Sequence, residues 1–182
     1  MNTEQLNRIR IDTRFGPMVA IATDNGLSIL EFDKPNRREL WLARLAHWFP
    51  GYCVVDEVSP VLADTEKWLA DYFQGLFLQL VQPRLDLRGT AFELKVWYAL
   101  MQIPLGETFS YHRLAVTIGI PTGARAVGGA NRRNPVSLIV PCHRVIGQNN
   151  SLVGYGGGLD IKQALLLHEK NPFLLVKEKP NQ

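Results

Sequence analysis

Between Thr108 and Leu159 the chain has no aspartate and no glutamate. The same stretch holds Arg113, Arg125, Arg132, Arg133 and Arg144 and no lysine, so it carries +5 in a chain of net charge +3. Such asymmetry marks an electropositive face, and the partner it fits is a phosphate backbone; a solvated basic surface is the plain alternative. Cysteine is nearly absent as well. Cys53 and Cys142 are too few for a disulfide framework, and no Cys/His spacing suggests zinc. No metal and no cofactor are expected, and the compartment is expected to be reducing, hence cytoplasmic. No apolar run approaches the roughly 20 residues that cross a bilayer, and the amino terminus has no charged-then-apolar leader, so neither membrane nor secretion is expected. The glycines from Gly154 to Gly158 lack the Gly-Lys-Ser/Thr ending of a phosphate-binding loop; a lid or pocket wall suits them better.

What is present is enough for a sizeable core: 182 residues, 46% hydrophobic, which is one large domain or two small ones. Residues 8–12 alternate, Met18 to Ala22 is apolar, and Asn25-Gly26 is a hairpin turn before Leu27 to Phe32. Leu40, Leu42, Leu45 and Trp48 have helical spacing, 52–55 reads as a short strand, and 61–74 as a second helix ending at Gly75. Residues 84–90, after Pro83, form the expected linker. The fold class is mixed α/β (α+β), with a supporting domain at 1–84, a mostly helical second domain at 85–173 and a tail at 174–182.

In the second half Thr90-Ala91-Phe92-Glu93 fits a capping box, and Pro104 stops the helix that follows. Ser110 caps a helix over 111–118. A turn through Gly119 and Pro121 leads to another helix over 123–132, the pattern of a helix-turn-helix. That last helix is built of small residues: Gly123, Ala124, Ala126, Gly128, Gly129 and Ala130. Each interior glycine costs about 1 kcal/mol against alanine, so close approach to another backbone must compensate, either DNA or a packed helix.

The sharpest feature is Leu138-Ile139-Val140-Pro141-Cys142-His143-Arg144-Val145. A thiol beside two potential cations is where a depressed thiol pKa is expected, and the run reads as a nucleophile delivered by a buried strand. The alternative is a small hydrophobe in a core. Ile161, Leu165 and Glu169 share a helix face; a buried Glu169 would need a partner such as a histidine serving Cys142, or it lies exposed near the helix end.

Pro141-Cys142-His143-Arg144-Val145, with Arg125-Ala126-Val127-Gly128-Gly129-Ala130 and Asn134-Pro135 upstream, resembles the O6-alkylguanine-DNA alkyltransferases. The match runs from about Thr90 through Phe92, Trp97, Ser110-Tyr111 and Gly157-Gly158 to Leu167-His168-Glu169. The resemblance implies a small ribonuclease H-like amino-terminal domain and a winged-helix-like carboxy-terminal domain. It implies minor-groove binding of double-stranded DNA containing O6-alkylguanine, with Ala124, Ala126 and Gly128 facing the groove and Arg125 entering the base stack; Arg132-Arg133 departs from the family and is expected to strengthen phosphate contact. Tyr111 would help turn the nucleotide out and protonate guanine N3. Cys142 would take the alkyl group irreversibly, with His143 drawing off its proton through a water, Glu169 orienting His143 and Asn134 holding the segment. The pocket would be bordered by the Cys142 and Val145 carbonyls and by Val153, Tyr155, Gly156 and Gly157. Gly156 departs from members that carry a serine there. The chain would act once, as a monomer, with cooperative binding along DNA and O4-alkylthymine repair left open.

Three other readings remain. A damage sensor of the same fold would lack the nucleophile. A cysteine hydrolase would need an oxyanion hole and would turn over. A transcription regulator would dimerise on spaced half-sites.

Overall fold

The computed structural model describes residues 4–170; the expected tail at 174–182 and the last residues of the expected second domain lie outside them. Strands β1 (Gln5–Thr13), β2 (Gly16–Thr23) and β3 (Gly26–Phe32) form an antiparallel meander, and β4 (Cys53–Val55) adds parallel to β1, giving the order β3-β2-β1-β4. β2 and β3 are almost wholly buried because both faces of the sheet are covered. On one face α1 (Pro35–Trp48) lays Trp41 and Leu45 against Leu6, Val19, Ile21 and Ile29. On the other, Met18, Ala20 and Leu30 join a core that continues through α2 (Pro60–Phe73) into the second half of the chain. Strands covered on both sides read as apolar runs rather than as alternation.

The second half holds α3 (Ala91–Leu100), α4 (Tyr111–Thr117), α5 (Ala124–Arg132) and α6 (Leu159–Lys170), with β5 (Phe109–Ser110) parallel to β6 (Val145–Ile146). The capping box at Thr90 and Glu93 is complete in both directions. α4 ends in a Schellman turn: Gly119 takes a positive φ of 78° while Ile120 N–H donates to Ala115 O and Gly119 N–H to Val116 O. That turn sets α5 across α4 and makes the helix-turn-helix. Trp97, fully buried on α3, donates its indole N–H to Ala130 O at 2.9 Å and ties α5 to the core.

The expected linker is not a free tether. Leu27 N–H donates to Arg84 O and Asp86 N–H to Leu27 O, so the chain lies along the outer edge of β3. Gly26 makes this possible, since a Cβ there would stand 2.7 Å from the Leu85 carbonyl carbon. Farther along the same edge Leu30 N–H donates to Pro135 O and Ser137 N–H to Leu30 O. The sheet therefore grips the segment that leads to Cys142, and an exposed edge is capped in the process.

That segment corrects one expectation. Leu138 to Val140 is not a strand. Leu138 is left-handed at φ 73°, and Val140 N–H returns to Val136 O. The ladder is replaced by one side chain: Asn134 Oδ1 accepts from Val136 N–H, and Asn134 Nδ2 donates to Val140 O at 2.8 Å. A leucine in this region costs on the order of 1–2 kcal/mol, offset here by complete burial and the Asn134 bonds. Among the described residues no helix is long and apolar enough to cross a membrane.

Candidate active site

Cys142 opens a short 3-10 turn, Cys142–Arg144, immediately after the Asn134 knot. It is 6% exposed and borders a cavity of about 780 Å³ shared with Tyr111, Asn131, Asn134, Tyr155 and Gly156. The side chains that follow it turn away from the thiol. His143 Nε2 lies 2.8 Å from Glu169 Oε1. Arg144 donates to both Glu169 oxygens, at 2.8 and 2.9 Å, and to Ile103 O at 2.7 Å. The expected activation by neighbouring cations is thereby overturned for the resting thiol. Burial pushes Cys142 up to about 11, and the Asn134 side chain, Arg37 and Lys162 only partly oppose it. Both adjacent side chains are already committed to one carboxylate.

Glu169 is buried, which settles its open reading from sequence. Burial works against its charge, but His143 and Arg144 outweigh it and hold the carboxyl well below the usual range. Tyr72 on α2 adds a hydrogen bond to Oε1 at 2.8 Å. His143 Nε2 donates to Glu169, which leaves Nδ1 of a neutral ring as an acceptor. His143 Nδ1 is buried with no protein partner, so a proton acceptor is held on the ring that follows the thiol.

The helix-turn-helix lines part of the cavity, as do residues of α1. Tyr111 is the first residue of α4, half-buried, its ring 3.6 Å from where a Cβ on Gly128 would stand. A Cβ there would make only ordinary contact with the tyrosine, and Gly129 lies under the Arg133 guanidinium. Val127, Ala130 and Asn131 of α5 pack inward, whereas Arg125 and Ala126 are exposed. Ala124 is half-buried at the start of α5. Arg132 is exposed; Arg133 is half-exposed and ion-paired to Glu93.

The expected pocket wall is met in part. Tyr155 and Gly156 border the cavity; Val145, Val153 and Gly157 do not. Val145 is fully buried in β6, beside Phe109. Val153 is exposed at the surface, close to Gly147. Gly157 is buried against the Phe32 ring, with its carbonyl accepting from Lys34. The Val145 carbonyl, expected at the guanine edge, accepts from Lys162 Nζ at 2.6 Å.

Four contributors escape a reading of the sequence. Lys162 is completely buried and also donates to Val153 O at 2.6 Å, pinning the loop before Gly154 to β6. Burial pulls it down to about 8. Its signal was available, since it neighbours Ile161 on the stripe that continues to Leu165 and Glu169. Tyr72, Glu31 and Arg37 come from the amino-terminal half, far away in sequence, and no local pattern marks them.

Comparison with known proteins decides the family. The family model described as "6-O-methylguanine DNA methyltransferase, DNA binding domain" matches residues 91–171. A methylated-DNA–protein-cysteine methyltransferase of Mycobacterium bovis is 55% identical over 161 residues, covering 88% of this chain and 90% of that one. The chain belongs to the methylated-DNA–protein-cysteine methyltransferase family. A Methanosarcina barkeri member is 40% identical over 161 residues, covering 88% and 95% of the two chains. The solved structure of Mycobacterium tuberculosis OGT in complex with DNA superposes with a TM-score of 0.73 at 36% identity, covering 95% of this chain and 99% of that one. The mixed α/β architecture, with its small amino-terminal sheet and helical carboxy-terminal part, is that of this methyltransferase family.

Proposed function

We propose that this chain repairs alkylated DNA by moving the alkyl group from guanine O6 to its own Cys142, once per molecule. The observation that carries the reading is the placement of a buried thiol at a cavity lined in part by α5, a helix without carboxylates. Duplex DNA meets that face through the minor groove. Arg125 stands exposed at the start of α5, suited to fill the stack as the damaged nucleotide turns out, and Tyr111 crowds the vacated backbone.

A resting thiol near 11 sets the order of events. Ionising it at neutral pH costs on the order of 5 kcal/mol, so a preformed thiolate is not the reactive ground state. The proton leaves through a water toward His143 Nδ1 as the attack proceeds, and Glu169 stabilises the imidazolium that forms. The sulfur–carbon bond forms, the carbon–O6 bond breaks, and the electron pair passes to the purine, where the Tyr111 hydroxyl protonates N3 and guanine leaves neutral. The product is a thioether with no route back to thiol, hence one lesion per protein. A high resting pKa also protects Cys142 from adventitious oxidation, which follows thiolate character and exposure.

The test is to count lesions removed from a duplex bearing one O6-methylguanine as protein is titrated in. A plateau at one lesion per chain, absent in Cys142→Ala, is the expected result. Continued removal beyond equivalence contradicts it, and binding without removal favours a damage sensor.

A further inference from the structure

Arg37 lies in the first turn of α1, yet its guanidinium borders the Cys142 cavity. It is 7% exposed and ion-paired to buried Glu31 of β3, with Nε 3.2 Å from Oε2 and Nη2 closer to Oε1. Glu31 in turn accepts from Ser137 Oγ at 3.3 Å, on the segment that carries Cys142. Nη1 reaches toward Arg132 O at the end of α5. A Cβ on Gly156 would stand 2.9 Å from Arg37 Cζ, 3.0 Å from Nε and 3.2 Å from Nη1. These near-equal distances place the flat face of the guanidinium where a side chain at residue 156 would begin. Glu31 holds that guanidinium, so it cannot swing aside.

A buried ion pair is a weak way to stabilise a fold; apolar residues of the same size would serve as well or better. A fixed cation in a cavity wall has a use when negative charge develops inside. We propose that Arg37 assists alkyl transfer: it fills the space of a side chain at residue 156 and sets the positive end of the Arg37–Glu31 pair beside the oxygen that leaves the alkyl carbon. The inference rests on the alkyl-transfer reading above. As the sulfur–carbon bond forms and the carbon–oxygen bond breaks, the departing pair is drawn toward a charge that needs no reorganisation, the condition under which such stabilisation is large. Gly156 and Arg37 are then one unit, contributed by opposite halves of the chain.

The test separates rate from affinity, using the full chain and a duplex with one O6-methylguanine. Arg37→Met lowers the single-turnover transfer rate at saturating DNA roughly tenfold while duplex affinity stays nearly constant. Arg37→Lys retains more of the rate than Arg37→Met. Gly156→Ser alone is slow because its Cβ meets the guanidinium. Arg37→Ala/Gly156→Ser, which puts a neutral donor in the vacated space, is faster than Arg37→Ala. Because Arg37→Met leaves Glu31 buried and unpaired, Glu31→Gln/Arg37→Met removes that charge and is expected to fold and to stay slow. Wild-type rate in either Met variant, a loss confined to affinity, or a double variant no faster than Arg37→Ala overturns the proposal. A wild-type chain that puts no methyl on Cys142 overturns the parent reading, and this inference with it, before any variant is made.

Discussion

Glu169 takes hydrogen bonds from Tyr72, His143 and both ends of the Arg144 fork, so one carboxylate joins α2, the Cys142 turn and α6. Its replacement by Ala strands a buried guanidinium and is expected to cost about 3–5 kcal/mol, read as a lower midpoint in urea. An unchanged midpoint would remove Glu169 from the structural account. The sign of its pH dependence follows from a depressed folded pKa: the stabilisation is present above the ordinary carboxylate range and is lost only as pH falls beneath it toward the folded value. Cys142 behaves oppositely. With its folded pKa raised to about 11, alkylation by iodoacetamide in a Cys53→Ser background should keep climbing past pH 8.5, the ordinary thiol value, toward 11. A rate that levels off near neutrality contradicts the burial argument.

The helix-turn-helix was legible in the sequence because each element carries its own local stop and start. Thr90, Ser110 and Gly119 act within four residues of the peptide groups they cap, and the structure places them as read, while α3 ends at Leu100, ahead of the stop expected at Pro104. The run Leu138–Val140 was misread because an apolar triplet looks the same in a strand and in a turn pinned by Asn134. The thiol environment was misread because neighbours in sequence need not be neighbours of the sulfur. Arg37, Glu31 and Tyr72 were invisible because their contacts span the whole chain. At this scale the basic pair at the end of α5 is divided. Arg132 is exposed, whereas Arg133 is already neutralised by Glu93. Arg132→Ala is therefore expected to reduce the slope of log affinity against log salt by about one, and Arg133→Ala by less. Equal effects would contradict the Glu93 pairing. On α6, Lys162→Met leaves the Val145 and Val153 carbonyls buried or half-buried without their donor and should cost about 2–3 kcal/mol. No change in the thermal midpoint would remove Lys162 as the loop's clamp.

Of the two apolar clusters that flank the sheet, one is shared by both halves of the chain, and the amino-terminal sheet does more than support. Its β3 edge holds the segment before Cys142, its Glu31 and Arg37 reach the cavity, and Tyr72 of α2 reaches Glu169. Alkylation then has a global consequence. A methyl on Cys142, a residue 6% exposed in a segment fixed at both ends, crowds the packed side of the cavity wall, and such overpacking typically costs about 1–3 kcal/mol. For a chain of this size each kcal/mol shifts the midpoint by about 2–4 °C, so the alkylated protein is expected to melt several degrees lower. An equal or higher midpoint would mean that the cavity absorbs the methyl without strain.

The most direct test of the central claim is intact mass before and after mixing with a duplex containing one O6-methylguanine, followed by peptide mapping. The account predicts a gain of one methylene per chain, located on the peptide that contains Cys142 and absent in Cys142→Ala. An unchanged mass, or a gain on Cys53, would contradict it.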